Sequence, residues 1–168
     1  MPTAFIGLGS NLGPGQGNLL AAWRRLQEHP KIRGVRLSSP YETAPVEMAS
    51  ANWFTNAVGE IETDLTPEEL LETMLAIERD MGRDRRQGRD RIIDLDLLFY
   101  GELIRESPQC RVPHPEIPYR LFVLAPLAEI APGLRHPHTG LTPAAMVARL
   151  DAAGQGIRKV DWERETDR

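Results

Sequence analysis

A chain of 168 residues, 41% hydrophobic and 26% charged, has the length and composition of one compact domain and excludes a disordered chain or a string of domains. Its formal net charge of −4 argues against general nucleic-acid binding, and its single cysteine, Cys110, excludes an internal disulfide or a Cys-rich metal site and suits a reducing compartment. No segment approaches the ~18 to 20 apolar residues of a membrane span, and the opening MPTAFIGLGSN has no basic leader, so a soluble cytoplasmic protein with no membrane partner is expected.

In chain order, TAFIGLGSN is an apolar run closed by glycines, which predicts a central strand over Thr3 to Leu8. Leu19, Leu20, Trp23 and Leu26 follow at helical spacing after Pro14 and Gly15, and His29-Pro30 stops that helix. VRLSSPYET (35–43) and WFTNAVGEIET (53–63) read as strands, separated by a loop rich in small residues and Pro. Thr66-Pro67-Glu68-Glu69 is a capping box with Pro at the first helical position; Leu70, Leu71, Met74, Leu75, Ile77 and Met81 supply a buried face up to Gly82. A strand follows in RDRIIDLDLLFYG (89–101), then a short return strand in LIRES, a Pro-studded segment, helices in LFVLAPLAEIAP and from Thr142-Pro143 to about Leu150, and a last strand in GIRKV. One domain over 1–160 is expected, with a polar, frayed tail from Asp161. The order β-α-β-β-α-β is the split βαβ arrangement, so the expected class is α+β: a ferredoxin-like antiparallel four-stranded sheet with helices packed on it, plus C-terminal additions.

The 89–101 strand carries two acids. Strict alternation puts Ile93, Leu95, Leu97 and Phe99 on one face and Ile92, Asp94, Asp96 and Leu98 on the other, with both carboxylates pointing the same way. Left uncompensated in an apolar strand, each ionised carboxylate costs on the order of several kcal/mol. Two readings answer this: Asp94 and Asp96 hold Mg2+, a hard cation that takes a few carboxylates and phosphate oxygens, or they are ion-paired to nearby Arg. Residues 79–91, RDMGRDRRQGRDR, place six Arg and three Asp between α-helix and strand. Such a run is a solvated face or, beside two acids, a cationic loop for nucleotide phosphates. Neither a Walker-type nor a G-x-G-x-x-G motif is present, so a P-loop or Rossmann protein is not expected.

Several separated stretches, GLGSNLG (7–13), SSPYETAP (38–45), FTNAV (54–58), IERDMGR (77–83), DRIIDLDLLFYG (90–101) and VPHPEIPYRLFVLAPLAEIAP (112–132), together resemble the 6-hydroxymethyl-7,8-dihydropterin pyrophosphokinase family. The resemblance implies transfer of the β,γ-diphosphate of ATP to the pterin hydroxymethyl, releasing AMP, in folate synthesis, with two Mg2+ held by Asp94 and Asp96. It assigns catalytic roles to Arg83, Arg85 and Arg91, ATP contacts to Glu78, Arg91, His114 and Arg120, and pterin contacts to Thr43, Ala44, Val46, Phe54, Asn56, Asp94 and Phe122. Phe54 and Phe122 are the implied aromatic sandwich, and a flat heteroaromatic ring does favour a π-face on each side. The partners so implied are two small molecules, with no nucleic acid and a monomeric enzyme. The chain departs from the family in a Gly82–Arg91 segment about two residues shorter than in some members, in GRDR where Gly-Pro-Arg is common, and in Pro115 where many have Tyr. Read from the residues alone, a ligand-binding or nucleic-acid module on the same sheet, or a metal-dependent nucleotide hydrolase, remains open; acids on the strand where RNA-binding sheets carry aromatics favour an enzyme.

Overall fold

β1, Thr3–Ser10, is the centre of the molecule because apolar side chains occupy its length and its glycines carry no side chain to clash with either neighbour. The computed structural model describes residues 1–44, 53–82, 90–151 and 155–163. β1 pairs antiparallel on one side with β4, Phe54–Thr63, and on the other with β5, Asp94–Tyr100. β2, Ile32–Leu37, and β3, Tyr41–Thr43, both pair antiparallel with β4, and β8, Ile157–Lys159, adds to the outer edge of β3. The order β5-β1-β4-β3 is the antiparallel split βαβ sheet expected from the sequence.

The single strand expected over 35–43 is instead two, and Ser38 and Pro40 are the reason. Pro40 has no N–H for a ladder, while the buried Ser38 hydroxyl accepts the Val58 N–H at 3.0 Å and the Ser38 N–H donates to the Val58 carbonyl at 2.9 Å. The side chain thus stands in for a backbone acceptor at the break.

α1, Gly15–Glu28, and α2, Pro67–Asp80, cover one face of the sheet. Leu19, Ala22 and Leu26 of α1 and Leu70, Met74 and Ile77 of α2 bury against Ala4, Ile6, Leu8, Ala57, Ile61, Leu95 and Leu97. The capping box forms as read: Glu69 N–H donates to Thr66 Oγ1 and Thr66 N–H to Glu69 Oε1. Gly82 then ends the segment at φ +93, a conformation that favours glycine. Leu75, expected on the buried face, is 52% exposed, because it lies outside the stripe occupied by Leu70, Met74 and Ile77.

The second face is closed over part of its area by α3, Leu121–Ile130, and α4, Pro143–Arg149, whose Val123, Leu124, Leu127, Ile130 and Met146 pack on Phe5, Val58, Leu98 and Phe99. Phe99 therefore does not share a face with Leu95 and Leu97. Pairing steps from Phe5↔Phe99 to Ile6↔Leu97, so Leu98 is an extra residue in a β-bulge and the alternation reverses beyond it. The return strand β6, Arg105–Glu106, pairs with β7, Arg111–Val112, in a separate two-stranded sheet. Residues 161–163 are tied down despite their polar surroundings. Trp162 packs on the first core and donates from Nε1 to the Ser38 carbonyl at 3.2 Å, and Gln16 accepts the Glu163 N–H at 2.7 Å.

Trp23 lies against bare backbone on β4, where a Cβ built on Gly59 would sit 2.4 Å from its ring. Wedged between helix and sheet, that ring has little room to yield, so Gly59→Ala is expected to lower unfolding free energy by about 1 to 3 kcal/mol. Urea denaturation measures it, and an unchanged midpoint would show that the ring moves freely.

Candidate active site

On the side of the sheet facing α3, β1 presents no side chain at Gly7 and Gly9. Gly7 pairs with Asp96 and Gly9 with Asp94 on β5, while Gly9 pairs with Asn56 on β4. Directly paired residues project to the same face, so Asp94, Asp96 and Asn56 stand around two positions that have no side chain. A Cβ on Gly9 would lie 3.0 Å from Asn56 Oδ1, and one on Gly7 would meet Leu98 and the Asp96 Cβ at 3.6 to 3.8 Å.

β3 and β4 build one wall. Asn56, buried, donates from Nδ2 to Thr43 Oγ1 at 3.1 Å, and Thr43 is itself buried and paired with Phe54. Ala44 follows directly on β3. β3 is anchored at its start by Tyr41, whose hydroxyl donates to Glu129 Oε1 at 2.9 Å, and by Ser39, whose N–H and hydroxyl donate to Glu129 Oε2, both at 3.0 Å. Burial, then the Glu129 carboxylate, pushes the Tyr41 phenol well above its ordinary value and keeps it a donor.

β5 supplies the opposite wall. Arg91 meets Asp94 at 3.1 Å, with both side chains about a quarter exposed (23% and 25%). The apo acid pair is therefore not left uncompensated, as its apolar strand suggests; the cation comes from three residues upstream. The Arg91 guanidinium also lies 6.0 Å from the Phe54 ring centroid, which brings an aromatic of β4 and an acid of β5 together. Glu78, expected among the nucleotide contacts, is 4% exposed, and its Oε2 accepts the Leu95 N–H at 2.8 Å. That bond satisfies an outward-facing amide on the edge strand β5 from the helix behind it.

His114 and Arg120 stand beyond β5. The Glu116 N–H donates to His114 Nδ1 at 3.1 Å, so the neutral ring carries its proton on Nε2, which lies 3.9 Å from Asp96 Oδ1. Burial, then the charge of Arg120, pulls the His114 pKa below its ordinary value, with Glu116 and Asp94 opposing. Arg120 lies 5.5 Å from the centroid of the Phe122 ring at the start of α3. Val46, Arg83 and Arg85 lie outside the described residues. Among the described residues no group of three or more His, Cys, Asp or Glu could hold a metal ion, so any cation here would rely on the two aspartates and on ligands brought by a substrate.

The family model described as 7,8-dihydro-6-hydroxymethylpterin-pyrophosphokinase (HPPK) matches residues 5–132. The chain belongs to this family. The 2-amino-4-hydroxy-6-hydroxymethyldihydropteridine pyrophosphokinase of Methylorubrum extorquens is 42% identical over 156 residues, 92% of this chain and 97% of its own length. The protein of the same name from Bacillus subtilis is 45% identical over 129 residues, covering 76% of this chain and 77% of that one. A solved Plasmodium falciparum HPPK-DHPS superposes with a TM-score of 0.70 over 88% of this chain at 16% identity, a likeness of fold; this chain spans 45% of that longer one. As an HPPK, the chain transfers pyrophosphate from ATP to hydroxymethyldihydropterin in folate biosynthesis.

Sequence reading missed Asn11 and Asp90, which meet across the mouth of the site. The signal for Asn11 was a polar residue directly after a buried strand; nothing local marked its partner.

A depressed His114 pKa has a signed consequence. Its stabilising contribution is fully present above the ordinary imidazole value of ~6.5 and is lost as pH falls from there through the lower folded value. We expect His114→Gln to flatten the fall in melting temperature on acidification below pH ~6.5 relative to the parent chain. A fall of equal depth in both would assign the effect to other groups, His136 first among them, whose pKa is also lowered by burial.

Proposed function

We propose that the transfer takes place over the Gly7–Gly9 floor, with the nucleotide on the β5 side and the pterin on the β3–β4 side. The observation that carries this is the placement of Asp94, Asp96, Asn56 and Thr43 on one face of the sheet, with Arg91 reaching both Asp94 and Phe54. In the reaction the hydroxymethyl oxygen bonds to the β-phosphorus of ATP and gives up its proton to water, the bond from that phosphorus to the α,β-bridging oxygen breaks, and AMP leaves. Catalysis of such a step is mainly positioning and charge stabilisation.

Thr43, Ala44, Val46 and Asn56 read the edge of the pterin, and Phe54 and Phe122 bracket its ring. A neutral His114 donates from Nε2 toward the nucleotide phosphates, and Arg120 adds charge beside it. Arg83, Arg85 and Arg91 stabilise the transferring diphosphate, Arg91 by exchanging the Asp94 carboxylate for phosphate oxygens when ATP arrives. Glu78 acts through β5, holding the strand from which both acids project.

Asp94 and Asp96 are the residues that would hold Mg2+, two ions in the full complex. The donor set suits it: two hard carboxylates on one strand face, with remaining ligands left to phosphate and water, is the usual economy of Mg2+ at nucleotide sites. Bound there, Mg2+ neutralises phosphate charge and fixes the diphosphate in line. The reading extends to a monomer of one domain over 1–160, working in the cytoplasm beside its ATP. Among the described residues no helix is long and apolar enough to cross a membrane.

Asp94→Asn and Asp96→Asn keep the shape and remove the charge. Each is expected to cut pterin-dependent AMP release by about 100-fold or more. The melting point of the metal-free protein should barely move, since the partly exposed Arg91–Asp94 pair contributes only about 0 to 1 kcal/mol. Near-normal turnover in either variant would sink the metal role at that position. Phe122→Ala is expected to weaken pterin binding by about 1 to 3 kcal/mol while sparing ATP; calorimetry with each ligand reads the difference, and equal losses would make Phe122 a packing residue.

A further inference from the structure

We infer that Asn11 and Asp90 act as a positioning pair that fixes Arg91 in the geometry the transfer needs. Asn11 is the first residue after β1 and is 7% exposed. Its amide is used on two sides: Oδ1 accepts the Arg91 N–H at 2.7 Å and Nδ2 donates to Asp90 Oδ1 at 2.8 Å. The backbone completes the clasp, because the N–H groups of Asn11 and Leu12 both donate to the Arg91 carbonyl, at 3.0 and 3.2 Å. Both peptide groups flanking the Arg91 Cα are thus held by one short stretch of chain.

That stretch is itself braced. Asn18, in the first turns of α1, donates from Nδ2 to the Leu12 carbonyl at 2.8 Å and to Ser10 Oγ at 3.1 Å. A line of directional bonds therefore runs from α1 through the 10–12 turn to Arg91, and from Arg91 to Asp94 and the Phe54 ring. These part-buried hydrogen bonds each contribute to stability only their net difference from bonding to water. Their geometric effect is larger, because displacement of a charge-stabilising group by about 1 Å costs on the order of 100-fold in rate. Asp90 contributes through its side-chain oxygen rather than its charge: the acceptor for Asn11 Nδ2 is one oxygen, which an amide supplies equally well.

The inference rests on the role given to Arg91 above, and the test separates the two. Asp90→Ala, Asn11→Ala, the double variant, Asp90→Asn and Arg91→Ala are compared in kcat, in KM for ATP and pterin, in thermal melting, and in hydrogen exchange of a peptide spanning residue 91. Asp90→Ala and Asn11→Ala are expected to lower kcat about tenfold or more with KM values shifted less than about threefold, and to speed exchange at the Arg91 amide. The double variant should be no worse than Asn11→Ala, and Asp90→Asn should keep parent kcat. The inference is overturned by unchanged kcat in both alanine variants, by a loss explained wholly by a smaller folded fraction, or by Asp90→Asn as slow as Asp90→Ala. Because Asp90 is partly exposed, its truncation still reports if Asn11→Ala fails to fold. Normal turnover in Arg91→Ala would remove the role of Arg91 in catalysis, whereas the hold of Asn11 on its amide is still read by exchange.

Discussion

The site depends on two side chains that do not exist. β1 is hydrogen-bonded on both flanks, so its backbone cannot retreat to make room for a ligand. No side chain rises above it at residues 7 and 9 because both are glycine, and at residue 9 even one carbon would press on Asn56 Oδ1. Elsewhere on the same face, Phe5, Val58, Leu98 and Phe99 fill the equivalent space and pack against α3 and α4. The core and the cavity are thus two ends of one surface, distinguished by side-chain size along β1.

The acids on this floor face positively charged or donor groups. Asp94 faces a fixed cation in Arg91, and Asp96 faces a histidine whose burial keeps it neutral near pH 7. Edge strand β5 carries both acids, and the buried Glu78 holds that edge from behind at Leu95. A substrate that brings phosphates and Mg2+ would exchange partners with a carboxylate already ion-paired and find a second with a donor beside it. Such exchange costs less than charging an empty apolar cavity, because the desolvated groups are paired before and after.

Much of this was legible in the sequence where the cause is local. The α2 start follows from Thr66 and Glu69, the α1 stop from His29-Pro30, and the shared direction of Asp94 and Asp96 from strand alternation. The reading failed where the cause lies across the sheet. Phe99 faces the opposite way from the simple count because β1 skips Leu98, and no feature of LDLLFY encodes that bulge. Leu75 fits the helical period but lies outside what the sheet can cover. Asn11 and Asp90, 79 residues apart, carry no mark of each other. Of the two readings of the acid pair, Arg compensation is present at Asp94.

Pairing of β3 with β8 bears on how the enzyme is made. Among the described residues, the outer edge of the strand that carries Thr43 pairs with residues 157–159, with Trp162 reaching back to Ser38 beside it. During synthesis the ferredoxin-like core, complete by Tyr100, can collapse while that edge is still bare. Closure of this edge waits on chain made more than a hundred residues after β3 itself, a long loop to close and a late contact. Until then a short unpaired strand is open to pairing with other chains. Completion of the sheet at this edge would therefore arrive as the last step of folding rather than with the core.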